Sequence, residues 1–261
     1  MSRAVASILL ACIASLSPAA AVAQWGDVKM SFVYDGTPPV AKPLDVTMEC
    51  VLKPPVMDET WVVNPKGGGV QNVVVFLLAE KGVKLPIHPD FEKAKGTSVR
   101  IDNIKCRFEP RVAIKYTNQD LILGNKDGFG HNVKGDFFEN LSFNPLVPAK
   151  ADVKLGAEKD NLNKHEAIPA TLACKIHQHM KGYLLIQEHP YAAVSDNLGN
   201  LTIKNVPQGD WTFVMWHETG YIQKGLLGTA KTPTEWKKGR MKIKVGPGVN
   251  TMGIVTFKKV R

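Results

Sequence analysis

The stretch Ala173-Cys174-Lys175-Ile176-His177-Gln178-His179-Met180, read with Gly130-His131-Asn132-Val133 upstream, decides how this chain is understood. Within the seven residues from Cys174 to Met180 it offers a thiolate, an imidazole and a thioether, and His131 brings a second imidazole from a separate strand. Three ligands spaced C-x-x-H-x-x-M can converge on one ion only if their loop turns tightly, so the spacing predicts a strand, a compact loop and a second strand.

The donor chemistry is specific. A metal binds the cysteine thiolate and not the thiol. A plane of two His and one Cys with a weak, long axial Met is a blue copper arrangement, whose soft sulfurs select copper over harder cations. One type 1 copper per chain is therefore expected. Catalytic metal sites keep an open position; this set leaves none, which suits electron transfer and gives no reason to expect an enzyme.

Outward from the loop the texture is that of strands. Val99 to Asp102 alternates, Cys106-Arg107-Phe108-Glu109-Pro110 leads into Val112 to Tyr116, and Asp120 to Leu123 runs up to Asn125. Gly182 to Ile186 leaves the loop as an apolar strand. No segment sustains a 3.6-residue period, so an all-β fold is expected, with little helix beyond a turn near Leu155 to Leu162.

On these residues, 99 to 188 resembles a cupredoxin, the blue copper Greek-key β-sandwich. Phe108-Glu109-Pro110, Asn125-Lys126-Asp127 and His131-Asn132-Val133 are similar to the approach to that family's first copper histidine, and the short ligand loop is most similar to that of amicyanin. The resemblance implies that His131, Cys174 and His177 are equatorial ligands, that Met180 is axial, and that Asn132 hydrogen-bonds across to the ligand loop. One departure concerns Gln178-His179, where the amicyanin-type loop usually carries a proline. His179 has three readings: a plain surface residue, which is preferred, an exposed edge for electron passage, or a rival ligand that would lower the potential.

A second resemblance follows. Ser195-Asp196-Asn197-Leu198-Gly199-Asn200-Leu201-Thr202-Ile203 and Val206-Pro207-Gln208-Gly209-Asp210-Trp211-Thr212 are similar to the carboxypeptidase regulatory-like β-sandwich. The opening pieces of such a domain sit at Phe32 to Pro38 and Val73 to Leu77. The expected layout is a signal at 1–23, an outer sandwich split between 24–98 and 189–261, and the cupredoxin at 99–188 as an insertion; simple tandem domains are the alternative. In the Pro-rich stretch 37–66, Val46 to Leu52 and Trp61 to Asn64 are candidate strands, as are Val70 to Leu78, Met241 to Val245 and Ile254 to Lys258.

Arg3, the apolar run from Ala4 to Leu16 and Ala21-Val22-Ala23 read as a secretory signal cut before Gln24, predicting a periplasmic or secreted protein. Cys12 faintly suggests a lipoprotein signal instead. No later run approaches the roughly 20 apolar residues of a membrane span. Export leaves Cys50, Cys106 and Cys174. The economical reading pairs Cys50 with Cys106 and reserves Cys174 for metal, although no spacing rule fixes the pair and two buried free thiols are the alternative.

The formal charge of +9 falls to +8 without Arg3. Lysines and arginines are scattered, with no basic aromatic stripe, so nucleic-acid binding is not supported. Partners would be redox proteins such as a cytochrome or a dehydrogenase with an acidic docking surface. His189 with His217-Glu218 is a thin candidate for a second metal site, a structural role for these residues being commoner. His88 and His165 read as solvated loop residues. Ser195 and Asp196 lack a nucleophile elbow, there is no phosphate-cradling glycine loop, and a multicopper oxidase would need more than the seven histidines present. The alternative function is a β-sandwich binding module whose cupredoxin part stores or delivers copper, or has lost it.

Overall fold

In a computed structural model, residues 24–258 are described apart from Lys81 and Lys84. The expected signal at 1–23, Cys12 included, lies outside the described residues. The chain is all-β. Among the described residues its strands carry three short 3-10 turns between them, at Met48–Cys50, Pro89–Ala94 and Lys237–Gly239. Among the described residues no helix is long and apolar enough to cross a membrane.

Two cores organise the strands. The outer core gathers Val28, Met30 and Phe32 with Val73, Val75 and Leu77 and, from the far end of the chain, Tyr191, Ile203, Phe213, Met215, Ile243, Val255 and Phe257. One of its sheets runs in the order 200–207, 25–34, 248–257, 224–227, 234–235; the other runs 192–194, 74–77, 209–217, 220–221, with 240–245 also paired to 209–217. Trp25–Tyr34 therefore lies between two strands that follow it by more than a hundred residues, antiparallel to one and parallel to the other.

The inner core is built from 101 to 186: Ile101, Phe108, Leu121, Leu123, Leu172, Leu184 and Ile186 are all buried. Each such side chain contributes roughly 1.5–3 kcal/mol on leaving water. Its sheets run 152–155, 120–125, 98–103, 108–109 and 112–116, 181–187, 170–173, 134–136, with a separate ribbon of His131–Asn132 against Leu146–Val147.

Where the sandwiches meet, the alternation of exposed and buried residues stops. Val74–Leu77 is buried at every position, and Lys181–Gln187 at its last four. A strand covered on both faces reads as a continuous apolar run. Between them lies a third cluster of Val74, Phe76, Val112, Leu185, Val214 and Trp216. Arg111 crosses the same junction: its Nε and one Nη each donate to Glu218 at 2.8 Å, with both side chains largely buried.

Several local expectations need correction. Val46 to Leu52 is no strand; it carries the turn Met48–Cys50. Trp61 to Asn64 contributes only the isolated bridge of Val63 to Val70. A proline has no N–H to give a ladder, and this Pro-rich segment instead packs side chains onto both cores. Cys50 and Val56 are buried in the inner core, while Trp61 stacks on His217 with ring centroids 4.3 Å apart. Cys50 is disulfide-bonded to Cys106, and Cys174 is free.

Candidate metal centre

The Ala170–Ala173 strand pairs with Lys181–Gln187, Ala173 facing Lys181, so the residues between them must reverse direction at once. The reversal closes on itself. The Cys174 amide donates to the Met180 carbonyl at 3.3 Å, the Met180 amide to the His177 carbonyl at 2.9 Å, and the His177 amide to Cys174 Sγ at 3.3 Å. Cys174, His177 and Met180 all turn inward, each 1% exposed, while Lys175, Ile176 and Gln178 face out.

His131 arrives on the ribbon 131–132 and is fully buried. Its Nδ1 lies 3.9 Å from Cys174 Sγ, and His177 Nδ1 lies 3.6 Å from the same sulfur. The three ligand atoms all fall within 4.8 Å of one another. Phe129 covers both imidazoles, its ring centroid 5.2 Å from that of His131 and 5.4 Å from that of His177. Met180 belongs to the same buried cluster as Cys174.

Two neighbours fix this geometry. Asn132 Oδ1 accepts from the Lys175 amide at 2.7 Å, from the Ile176 amide at 3.2 Å and from the Cys174 thiol at 3.4 Å, while its Nδ2 donates to Asn144 Oδ1. One side chain thus ties the His131 ribbon to the ligand loop. Asp127 ties the His131 ring to the turn at Lys105 and Cys106. Its Oδ2 lies 2.9 Å from His131 Nε2 and accepts from the Cys106 amide at 2.9 Å; its Oδ1 accepts from the Lys105 amide at 2.6 Å. A carboxylate can only accept here, so the His131 proton sits on Nε2 and the Nδ1 lone pair faces the sulfur.

Burial holds the pKa values of His131 and His177 below the ordinary imidazole value; Asp127 opposes the shift at His131, and the proximity of His131 adds to it at His177. Both rings are thus biased to the neutral, ligating form. One thiol sulfur and two imidazole nitrogens, buried and converging, fit a soft metal ion. The set offers no oxygen-rich cage of the kind that hard cations need.

The remaining candidates lie elsewhere. His179 is no plain surface residue: it is half-buried, with Nε2 3.2 Å from the Cys106 carbonyl. His88 is not simply solvated, since its Nδ1 accepts from the Asp90 amide at 3.1 Å and its ring meets Trp25 edge-on. His189 and His217 do not come together. His189 stacks on Tyr191, His217 on Trp61, and Glu218 is taken by Arg111. Burial lowers both rings to a pKa of about 4. Asp127 belongs to the Asn125-Lys126-Asp127 stretch that carries the resemblance, but the sequence gives it no role at the site.

No protein-family model matches this chain, and no curated protein does. Similar solved structures include a copper(I) amicyanin variant, 15% identical over 34% of this chain and 82% of that one, with a TM-score of 0.29. They include the copper-containing nitrite reductase of Thermus scotoductus, 18% identical over 43% of this chain and 30% of that one, TM-score 0.32. A purple cupredoxin from Nitrosopumilus maritimus is 14% identical over 34% of this chain and 98% of that one, TM-score 0.27. These neighbours are copper proteins of cupredoxin type; a carboxypeptidase regulatory-like domain is not shown. The likeness is confined to a minority of the chain, and the functional reading rests on the side chains described above.

Proposed function

We propose that this chain is an exported type 1 copper protein that carries single electrons between redox partners, and that it is not an enzyme. The observation that carries the reading is the convergence of His131 Nδ1 and His177 Nδ1 on the buried Cys174 sulfur, at 3.9 and 3.6 Å. His131, Cys174, His177 and Met180 would hold the ion between them. Bound there, copper would supply a one-electron couple.

The chain's own groups supply the rest. Asn132 and Asp127 hold the ligand loop and the His131 ring in one arrangement, so a change of charge at the centre need not move them. Phe129 and the buried walls exclude water. The scattered positive charge of the surface favours encounter with an acidic partner, such as a cytochrome or a dehydrogenase.

Metal content and an optical spectrum of the copper-loaded protein test the reading. The expected result is about one copper per chain, an intense visible thiolate-to-copper band and an EPR signal with narrow copper hyperfine splitting, all three dependent on the ligand set. Cys174→Ser should remove the band and the narrow splitting together. A colourless Cu(II) complex would sink the electron-carrier reading and leave a binding module that stores or delivers the metal.

A further inference from the structure

The arm at 42–57 runs beside the ligand loop. A cleft between them is lined by Asp45, Val46 and Thr47 on the arm and by Ile176, Gln178 and His179 on the loop. Cys50 and Val56 are buried in the core that also holds Cys174 and Met180, with Leu44, Val46 and Leu52 packed against it. Glu49 lies within electrostatic reach of His177. His177 is 1% exposed, whereas Met48 on the arm is 89% exposed.

The arm's backbone bonds close on the arm itself. The Leu44 amide donates to the Val56 carbonyl and the Asp58 amide to the Lys42 carbonyl, each at 2.8 Å, beside an isolated bridge of Pro43 to Met57. Among the described residues it joins no sheet of either sandwich. What fastens it is the Cys50–Cys106 disulfide, reinforced by apolar packing and by Arg107 donating to Glu59 at 2.6 Å.

That disulfide touches both ligand-bearing segments. The Cys106 sulfur lies within 4.8 Å of the Asp127 carboxylate and of a His131 ring nitrogen, and the Cys50 sulfur within 4.8 Å of a His179 ring nitrogen. Lys105 and Cys106 sit at φ 49° and 58°, a left-handed conformation that side chains seldom adopt, and the Asp127 carboxylate accepts both of their amides. The fastening point is thus built into the metal centre and is not a staple at a distant edge.

We propose that the arm is a disulfide-fastened cap that closes the His177 edge of the centre to dissolved ligands, leaving electron passage through covered protein as its only traffic. The proposal rests on the copper reading only for its last test. In metal-free protein, the rate at which diethyl pyrocarbonate modifies His177 is followed by peptide mass analysis. Freeing the arm with Cys50→Ala and Cys106→Ala should raise that rate about tenfold or more, as expected when a protected site opens. A rate within about twofold of the parent, with unchanged near-UV dichroism, would overturn the cap.

Because losing the disulfide could unfold the inner sandwich, Val46→Arg provides a second variant that keeps it and puts a charge under the arm. It should show the same increase, and an unchanged rate in that folded variant would also count against the cap. The copper-loaded parent should leave its visible spectrum unchanged on addition of azide, while the disulfide-free variant should develop an azide-dependent band; azide binding by the parent would overturn the cap. If no blue colour forms at all, the copper reading fails, and the metal-free rates still decide the cap.

Discussion

Asp127 shows at the scale of one residue how a ligand is made ready. Its carboxylate accepts from His131 Nε2 and from two backbone amides at once, so it fixes both the ring and the turn beside it. Asp127→Asn would turn an amide N–H toward at least one of these donors. The partners of metal-ligating histidines typically govern affinity by about 10–100-fold, and a loss of that order is expected in competition titration with a chelator. Unchanged affinity would mean that the ring is held by packing alone. Cys174, His177 and Met180 were legible because their spacing sits inside one loop, and His131 because it heads a His-Asn-Val strand. The role of Asp127 was not: it lies in the Asn125-Lys126-Asp127 stretch that carries the resemblance, but an Asp in a Gly-rich turn has many ordinary uses and only the returning backbone shows what it meets. His179 and His88 were misjudged for the same reason: their partners, the Cys106 carbonyl and Trp25, lie 73 and 63 residues away.

At the scale of elements, magnitudes separate contacts that look alike on paper. Arg111 and Glu218 join an inner strand to an outer hairpin with side chains 13% and 6% exposed. Glu218→Ala leaves a guanidinium mostly out of water, with the more exposed Glu59 carboxylate 3.6 Å away and the Lys181 carbonyl at 3.4 Å as its remaining partners, and should cost about 3–5 kcal/mol in denaturant unfolding. Arg100 and Asp152 form an equally close pair, yet their side chains are 34% and 52% exposed. Asp152→Ala should cost at most about 1 kcal/mol. Equal costs for the two variants would show that burial does not set their worth. The inner strands were readable from alternation, and Val74–Leu77 from its unbroken apolar run. The arm was not: its prolines announced short extended pieces, but whether those pieces pair or pack is decided by Cys50 and Val56 finding the inner core, a tertiary choice with no local period.

The whole molecule inherits a pH dependence from histidines that lie outside the proposed copper site. His189 and His217 are buried, and each keeps an Nε2 without a partner among the described residues. Burial holds both near a pKa of about 4 in the folded state, while an unfolded histidine titrates near 6.5. Between those values the unfolded chain binds protons that the folded chain refuses, so stability rises with pH across this window. The stability is fully present above about pH 6.5 and is lost as pH falls toward 4, by up to about 3 kcal/mol per ring. The aspartates at 90, 120 and 152, whose ion pairs lower them below the carboxylate value, lose their contribution in the same direction at a lower pH. Denaturant unfolding near pH 7 and near pH 5 separates the two windows. His217→Gln should be less stable than the parent near pH 7, because it loses its stacking on Trp61, and should have a shallower slope between the two pH values. An equal slope in parent and variant would show that His217 is protonated in the folded state, with its Nε2 paired after all. Such acid sensitivity would arise mainly at the outer sandwich and its junction with the inner one. The metal-free protein would then lose its outer half first on acidification, with the disulfide still holding the arm to the inner core.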